Sequence, residues 1–447
     1  MMLFKKLLRH NSSQWQVHLR SRSLRVWIAA LIGCLTCFLV LLPVFSQQPV
    51  EIRFLMLAPE TPLFAPLIEE FERENPDIRI RMVEGPNATN LVEDLYTSAL
   101  LLGSSPYDLI NLDVVWTAKF AAAGWLMDLS DRATPQELAQ HLETSIEAGR
   151  YQDKLYRIPW RTDAGVLFYR KDLLQEAGLQ QPQTFTDLLE VSKTLQQKTG
   201  VDWGYLWQGR QYEGVAAMFV EVLSGFGGYW INPETLEVGL DQPEAINAVN
   251  FLRGTVRQGV SPGGVTTYQE EEVRRLFQSG GAAFMRNWPY AIPLLNSEES
   301  AVRNKVGIRP MLSMPGGQPG SCLGGWGWGI LSSTPHPEEA WRVLQYFTSE
   351  RVQRINALKG YLPSLRSLYE DPEILAEFPH YAEMAQVFEK TVLRPSIAQY
   401  AQASDILQRY LSAVFSGRMA PEDAMQTAAS ETRSLLGRLS SAQEARG

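Results

Sequence analysis

Residues 51–83 read EIRFLMLAPETPLFAPLIEEFERENPDIRIRMV, and this stretch decides the fold class. Glu51–Leu57 and Ile78–Val83 have the apolar and alternating character of strands. Leu63–Glu74 places apolar residues at the spacing of an amphipathic helix, which Asn75 and the following proline end. The order strand, helix, strand predicts a right-handed βαβ unit, so the chain is predicted to be an α/β protein with a mainly parallel sheet.

The same alternation continues along the chain. A second helix is predicted over Leu91–Leu102 and a third strand over Tyr107–Leu112, with further elements at Gly165–Tyr169, Asp187–Lys198 and Ala282–Met285. Beyond about residue 335 the pattern is helical. About 400 residues are too many for one hydrophobic core and predict two lobes. Since no long Pro/Gly linker divides the chain, we expect it to cross between the lobes more than once.

The first 46 residues differ from the rest of the chain. They carry six Lys or Arg and no acidic residue, and Val26–Phe45 is almost wholly apolar. This is the layout of a signal peptide that ends near Ser46, although about 20 apolar residues can also remain as a membrane anchor at 26–45. Leu31–Cys34 also has the small-residue-then-Cys form of a lipidation site. Each interpretation predicts a periplasmic or other extracytoplasmic location.

The remaining composition excludes several classes of function. Beyond residue 46 there are 35 basic and 49 acidic side chains and no basic tract, which argues against nucleic acid or an anionic membrane as partner. No phosphate-binding glycine loop is found, and the five histidines are isolated. Cys322 is the one cysteine beyond the targeting segment. We therefore expect no metal, no cofactor and no Cys/His chemistry.

Polar and aromatic residues stand together after several predicted strands, where an open sheet binds ligands. Asp113 and Trp116 follow the third strand, and Trp288 and Tyr290 follow Ala282–Met285. Rings can stack on the C–H faces of a neutral sugar, and charged groups can bond its hydroxyls. The structural alternatives stay open for single residues, since a Trp often serves the core and an Asp after a strand often caps a helix.

Two further groups leave alternatives open. Arg161 and Arg286 can serve a ligand or form structural ion pairs. Asp113, Asp163 and Glu213 can in principle supply the carboxylate pair of a glycoside hydrolase, whose separation the sequence does not give.

Six stretches, in order, resemble the extracellular sugar-binding proteins of ABC importers, and within them the group that binds trehalose, maltose and related glucosides. They cover about residues 50–400 and read YDLINLDVVW (107–116), FAAAGWL (120–126), WRTDAGVLFYRKDLL (160–174), WQGRQYEG (207–214), GGAAFMRNWPY (280–290) and GGW (324–326). No one of them would suffice, but the ordered set is specific for the family.

The resemblance implies a two-lobed periplasmic-binding-protein fold with a hinge and a ligand cleft between the lobes. One lobe would hold residues 47–162 and 300–348, the other 163–299 and 349–447, with 1–46 as signal peptide or anchor. By position, the implied ligand contacts are Glu60, Asp113, Trp116, Asp163, Trp288, Tyr290, Trp326, Gly360, Tyr361 and Arg394.

The implied function is capture of a small neutral sugar, a glucose-containing disaccharide or glucoside such as trehalose or maltose. The protein would be a monomer without enzymatic activity that delivers the sugar to the transmembrane permease of an ABC importer with a separate ATPase. A secreted glycoside hydrolase and a sugar-sensing receptor subunit are the alternatives.

Overall fold

The computed structural model describes residues 48–86, 89–103, 105–232, 235–388 and 390–444. The predicted signal peptide or anchor at 1–46 lies outside these residues, and so does the predicted lipidation site at Cys34. In the described ranges, no helix has both the length and the apolar character that crossing a bilayer requires.

The described residues alternate between strands and helices, as the sequence predicts. The strands are β1 (Val50–Leu57), β2 (Ile78–Gly85), β3 (Leu109–Asp113), β4 (Arg150–Tyr151), β5 (Lys154–Leu155), β6 (Ile158–Ala164), β7 (Val166–Arg170), β8 (Trp203–Leu206), β9 (Ala282–Asn287), β10 (Val306–Pro310), β11 (Ser321–Ile330) and β12 (Thr391–Val392). Short 3₁₀ turns occupy Ala58–Glu60, Val114–Trp116, Gly263–Thr267 and Arg366–Tyr369.

The α-helices are numbered in the same way. They are α1 (Thr61–Glu74), α2 (Thr89–Leu101), α3 (Thr117–Ala122), α4 (Pro135–Leu138), α5 (Glu143–Glu147), α6 (Lys171–Ala177), α7 (Phe185–Thr199), α8 (Glu213–Gly225), α9 (Pro243–Arg257), α10 (Glu270–Gln278), α11 (Ala291–Leu295), α12 (Pro337–Thr348), α13 (Glu350–Ala357), α14 (Pro372–Glu377), α15 (Tyr381–Phe388), α16 (Tyr400–Phe415) and α17 (Pro421–Glu444).

The predicted βαβ unit is present. β1 and β2 pair in parallel from Val50 opposite Ile78 to Leu57 opposite Gly85. α1 connects them and buries one face, formed by Leu63, Phe64, Leu67, Ile68 and Phe71. Burial of this apolar stripe is what keeps the helix against the strands.

The expectation of a mainly parallel sheet is wrong. β11 runs antiparallel to both β3 and β6, and β7 runs antiparallel to both β9 and β10. Parallel neighbours require a crossover connection, usually a helix, whereas antiparallel neighbours do not. The partners of β11 are far away in the chain, so no crossover helix between consecutive strands sets the direction of these pairs.

Buried apolar side chains of the described residues form two clusters. The first gathers β1, β3, β6, α1 and α12, and its centre is a set of ring contacts among Phe54, Phe64, Trp160, Trp328 and Phe347. The second gathers β7, β8, β9 and the helices α7, α8 and α16, with Phe168, Trp207 and Phe219 fully buried.

Two strands contribute to both clusters. Along β11, Leu323 belongs to the second cluster and Trp326 to the first; along β6, Trp160 belongs to the first and Ala164 to the second. β6 and β11 pair with each other where both pass from one cluster to the other, and there Asp163 stands opposite Gly324 and Arg161 opposite Trp326. We call this place the crossing of β6 and β11. The crossing brings residues of both clusters to one place. The predicted lobe boundaries stay a prediction.

Candidate ligand-binding site

A cavity of about 650 Å³ lies at the crossing of β6 and β11. Its wall holds five carboxylates, three arginines and four aromatic rings, which are Asp113, Asp163, Glu213, Glu270, Glu271, Arg161, Arg210, Arg394, Tyr212, Trp288, Tyr290 and Trp326. Thr89, Asn90, Gln211, Gln269 and the backbone of Gly324 and Gly325 complete most of the surface.

The structure brings together six of the ten residues that the sequence predicts as ligand contacts. These six line the cavity: Asp113, Asp163, Trp288, Tyr290, Trp326 and Arg394. The other four, Glu60, Trp116, Gly360 and Tyr361, are not part of its wall. Trp116 is 2% exposed and packs edge-on against Trp326 at 5.4 Å, so it supports a lining ring from behind. Contact of each residue with a ligand stays a prediction.

Arg161 organises one side of the cavity. Its Nη1 lies 2.7 Å from Asp163 Oδ2 and its Nη2 lies 2.5 Å from Glu60 Oε1. The guanidinium also lies within 6 Å of the rings of Trp326 and Tyr361, at 5.8 and 5.6 Å from their centroids. Glu60 and Tyr361 therefore stand behind Arg161 and fix its position.

Burial sets the protonation of this cluster. It raises the pKa of Asp163 to about 6, although the neighbouring Arg161 opposes the shift. Burial also raises the pKa of Glu60, again against the attraction of Arg161. Two carboxylates that share one arginine are costly to keep fully ionised in a buried place.

Arg394 organises a second group of lining residues. Its Nη1 lies 2.7 Å from Glu213 Oε1, and its Nη2 lies 3.7 Å from Asp113 Oδ1. Asp113 also accepts a hydrogen bond from the Val115 amide over 3.2 Å and so caps the 3₁₀ turn. The cap interpretation of Asp113 is thus the observed one, and the same side chain also lines the cavity, while its contact with a ligand stays a prediction.

The two lining rings that follow β9 are held by hydrogen bonds that they donate to carboxylates of α10. Trp288 Nε1 donates to Glu270 Oε1 over 3.4 Å, and the Tyr290 hydroxyl donates to Glu271 Oε1 over 2.9 Å. Gly324 permits the close approach of β11 to this loop, since a Cβ there would lie 3.0 Å from the Trp288 ring. A larger residue at 324 would push the ring out of place.

Arg286 belongs to the support of the cavity and not to its wall. Its guanidinium forms a bidentate pair with Glu221, at 2.7 and 2.6 Å, and both side chains are fully buried. Its Cζ lies 4.2 Å from the centre of the Trp288 ring. Arg286 therefore forms a structural ion pair, which is one of the two roles that the sequence left open.

Several lining residues were not predicted. The sequence offers Glu213 only as one member of a carboxylate pair, and it does not assign Arg210 or Tyr212 to a site, although both lie in the stretch 207–214. Glu270 and Glu271 gave no signal of their own, because acidic residues in the first turn of a helix are common. Only the packing of α10 against β9 brings them to the cavity.

Comparisons with known proteins extend these observations. Residues 58–354 match the family of bacterial extracellular solute-binding proteins. A probable ABC transporter-binding protein of Deinococcus radiodurans is 32% identical over 368 residues, which cover 80% of this chain and 87% of the relative. A maltotriose-binding protein of Pyrococcus abyssi is 26% identical over 320 residues, 70% of this chain and 66% of the relative.

A solved structure shows the same architecture. The chain superimposes on the maltose-bound MalE3 protein of T. maritima with a TM-score of 0.80 and 36% identity, covering 86% of this chain and all of that one. The α/β prediction with two lobes, a hinge and a cleft is thereby confirmed, and the match places the described domain outside the cytoplasm. The chain belongs to the family of bacterial extracellular solute-binding proteins of ABC transporters.

Proposed function

We propose that this protein binds a small neutral saccharide in the cavity between β6 and β11 and delivers it to the permease subunits of an ABC importer. A glucose-containing disaccharide or glucoside, such as maltose or trehalose, is the proposed ligand. The relatives named for maltose and maltotriose support this class of ligand.

The observation that carries the proposal is the mixture of groups in the cavity wall. Trp288, Tyr290 and Trp326 offer apolar faces, and Asp113 and Asp163 offer charged acceptors beside them. Sugar hydroxyls are costly to bury without partners, and hydrogen bonds to carboxylates meet that cost. A volume of about 650 Å³ lies within the usual range for small-molecule sites.

The arrangement also suggests how binding drives closure. Asp113 and Trp326 lie on strands that contribute to the first cluster. Trp288 follows β9 and Glu213 begins α8, and both of these elements belong to the second cluster. A sugar that touches both sets interacts better with a closed state than with an open one, and so shifts the population toward closure. We propose that the lobes divide at the predicted boundaries, 47–162 with 300–348 and 163–299 with 349–447, except that β10 goes with the second lobe because it pairs with β7.

The remaining parts of the proposal concern the context of the chain. The protein would act as a monomer, be tethered or released at its N-terminal 46 residues, and work with an ATPase on another chain. We propose no hydrolytic activity, because Asp163 and Glu213 are each engaged by an arginine. Prolonged incubation with chromogenic glucosides should therefore release no product.

Sugar binding and uptake test the proposal together. We expect maltose, trehalose or sucrose to raise the melting temperature of the purified domain, and calorimetry to give a single site. Deletion of the gene should reduce uptake of the bound labelled sugar. Binding without any change in uptake would favour a sensory role, and no binding of any neutral saccharide would contradict the proposal.

Affinity for the sugar should fall in acid. Burial raises the pKa of Asp163 from 3.8 to about 6. Ionisation of Asp163 therefore costs the folded protein stability as the pH rises through this interval, and the full cost is present above pH 6. A sugar hydroxyl that donates to the ionised carboxylate offsets part of this cost. Protonation below pH 6 removes the charged acceptor, and affinity should then drop by up to about tenfold per pH unit. Calorimetry between pH 5 and 7.5 measures this, and Asp163→Asn should flatten the profile. An unchanged slope in that variant would assign the titration to another group.

A further inference from the structure

Glu213 begins α8 and lines the cavity, and donors surround its carboxylate. Arg394 Nη1 lies 2.7 Å from Oε1, and Ser404 Oγ donates to Oε2 over 2.6 Å. The Tyr400 hydroxyl also donates to Oε1. Three donors on two oxygens fix the orientation of this carboxylate.

Arg394 stands between Glu213 and Asp113. Its side chain is 4% exposed, and its Nη2 donates to the Leu323 carbonyl over 3.3 Å. The 2.7 Å contact with Glu213 is a charge-assisted hydrogen bond, whereas the 3.7 Å separation from Asp113 Oδ1 is too long for one. The guanidinium therefore pairs with Glu213 and does not come within hydrogen-bonding distance of Asp113.

This arrangement leaves Asp113 available. Among the residues that the structure describes, only the Val115 amide donates to its Oδ1, and none donates to its Oδ2. A carboxylate in a cavity wall with unused acceptor positions is suited to a ligand hydroxyl. Direct pairing with Arg394 would fill those positions.

We propose that Glu213 is a positioning residue for ligand binding: it holds Arg394 away from Asp113 so that the Asp113 carboxylate stays open to a sugar hydroxyl. This inference rests on the proposed function. Without the charge of Glu213, Arg394 moves to a direct ion pair with Asp113, with an N–O distance of about 2.8 Å. Because β3 carries Asp113 and α8 carries Glu213, Arg394 lies between elements of the two hydrophobic clusters.

A double-mutant cycle in sugar affinity tests the proposal. Calorimetry is carried out with the tightest binder among maltose, trehalose and sucrose, on the wild type, Glu213→Gln, Asp113→Asn and the double variant. Glu213→Gln should weaken binding by about tenfold in the chain that retains Asp113. In the Asp113→Asn background the same change should cost less than about twofold, since no ionised carboxylate remains for Arg394 to occupy.

A matched control separates positioning from a general loss of charge. Glu244→Gln removes an acid from the first turn of α9, away from the cavity, and should leave affinity unchanged. A structural role for Glu213 would lower affinity equally in both backgrounds, so additive effects would overturn the inference. A crystal structure of Glu213→Gln in which Arg394 still lies 3.7 Å from Asp113 would do the same.

The outcomes also separate this inference from the function on which it rests. If the wild type binds none of the sugars, the proposed function falls and the inference with it. If the wild type binds and the cycle is additive, only the role of Glu213 is wrong.

Discussion

Replacement of Arg286 by Met should lower the free energy of unfolding by about 3–5 kcal/mol, because it leaves the buried Glu221 carboxylate without its partner. Both side chains are fully buried, and the pair is bidentate. The Cys322 amide, which donates to Glu221 over 3.2 Å, is a poor substitute for a guanidinium. Urea denaturation followed by fluorescence measures the loss.

Two variants separate a lost ion pair from lost packing. The double variant Glu221→Gln with Arg286→Met carries no uncompensated charge and should be more stable than Arg286→Met alone. Arg342→Met breaks an exposed pair with Asp77, whose side chains are 41% and 59% exposed, and should cost less than about 1 kcal/mol. Equal losses in the single and double Arg286 variants would show that packing, and not charge, dominates.

Trp288→Ala should weaken sugar binding by about 30-fold or more, the effect of removing a dominant contact of about 2 kcal/mol. The ring lies in the cavity wall with Arg286 at 4.2 Å behind it, and its Nε1 bonds to Glu270. These supports fix the ring before the ligand arrives, so stacking costs little entropy. Calorimetry against the same sugar gives the change in affinity.

Two other tryptophan variants sharpen this test. Trp288→Phe keeps an aromatic face and should lose less affinity than the alanine variant. Trp341→Ala removes a ring that packs on Arg132 outside the cavity and should not alter binding. If Trp288→Ala binds like the wild type, the ring has a structural role only, and the stacking surface must come from Trp326 or Tyr290.

The position of the Trp288 ring depends on the same buried ion pair that stabilises the fold. Arg286 anchors to α8 through Glu221 and supports the ring from one side, while α10 holds the ring edge through Glu270. A variant of Arg286 should therefore weaken binding as well as folding. The cavity wall thus depends on a fully buried ion pair that the ligand does not touch.

Local patterns in the sequence determined most of the elements. β1 and α1 end at the predicted residues and differ from prediction by one and two residues at their starts. Such elements are set by the period of their own apolar residues, which is a local property. The same holds for Asp113, the last residue of β3, and for Trp288 and Tyr290, which follow β9, because the end of a strand can be read from its own pattern; Asp163 instead lies inside β6.

The direction of the strands and the second layer of the site were decided by tertiary structure alone. β11 pairs with β3, more than 200 residues away, and nothing in either strand records the sense of that pairing. Glu221 and Glu270 resemble ordinary surface acids in the sequence, and Glu60 was predicted as a ligand contact; only packing brings them beside Arg286, Trp288 and Arg161. Sequence pattern fixes what each segment can form, whereas contacts between distant segments decide which charges share a buried cavity and how they are balanced.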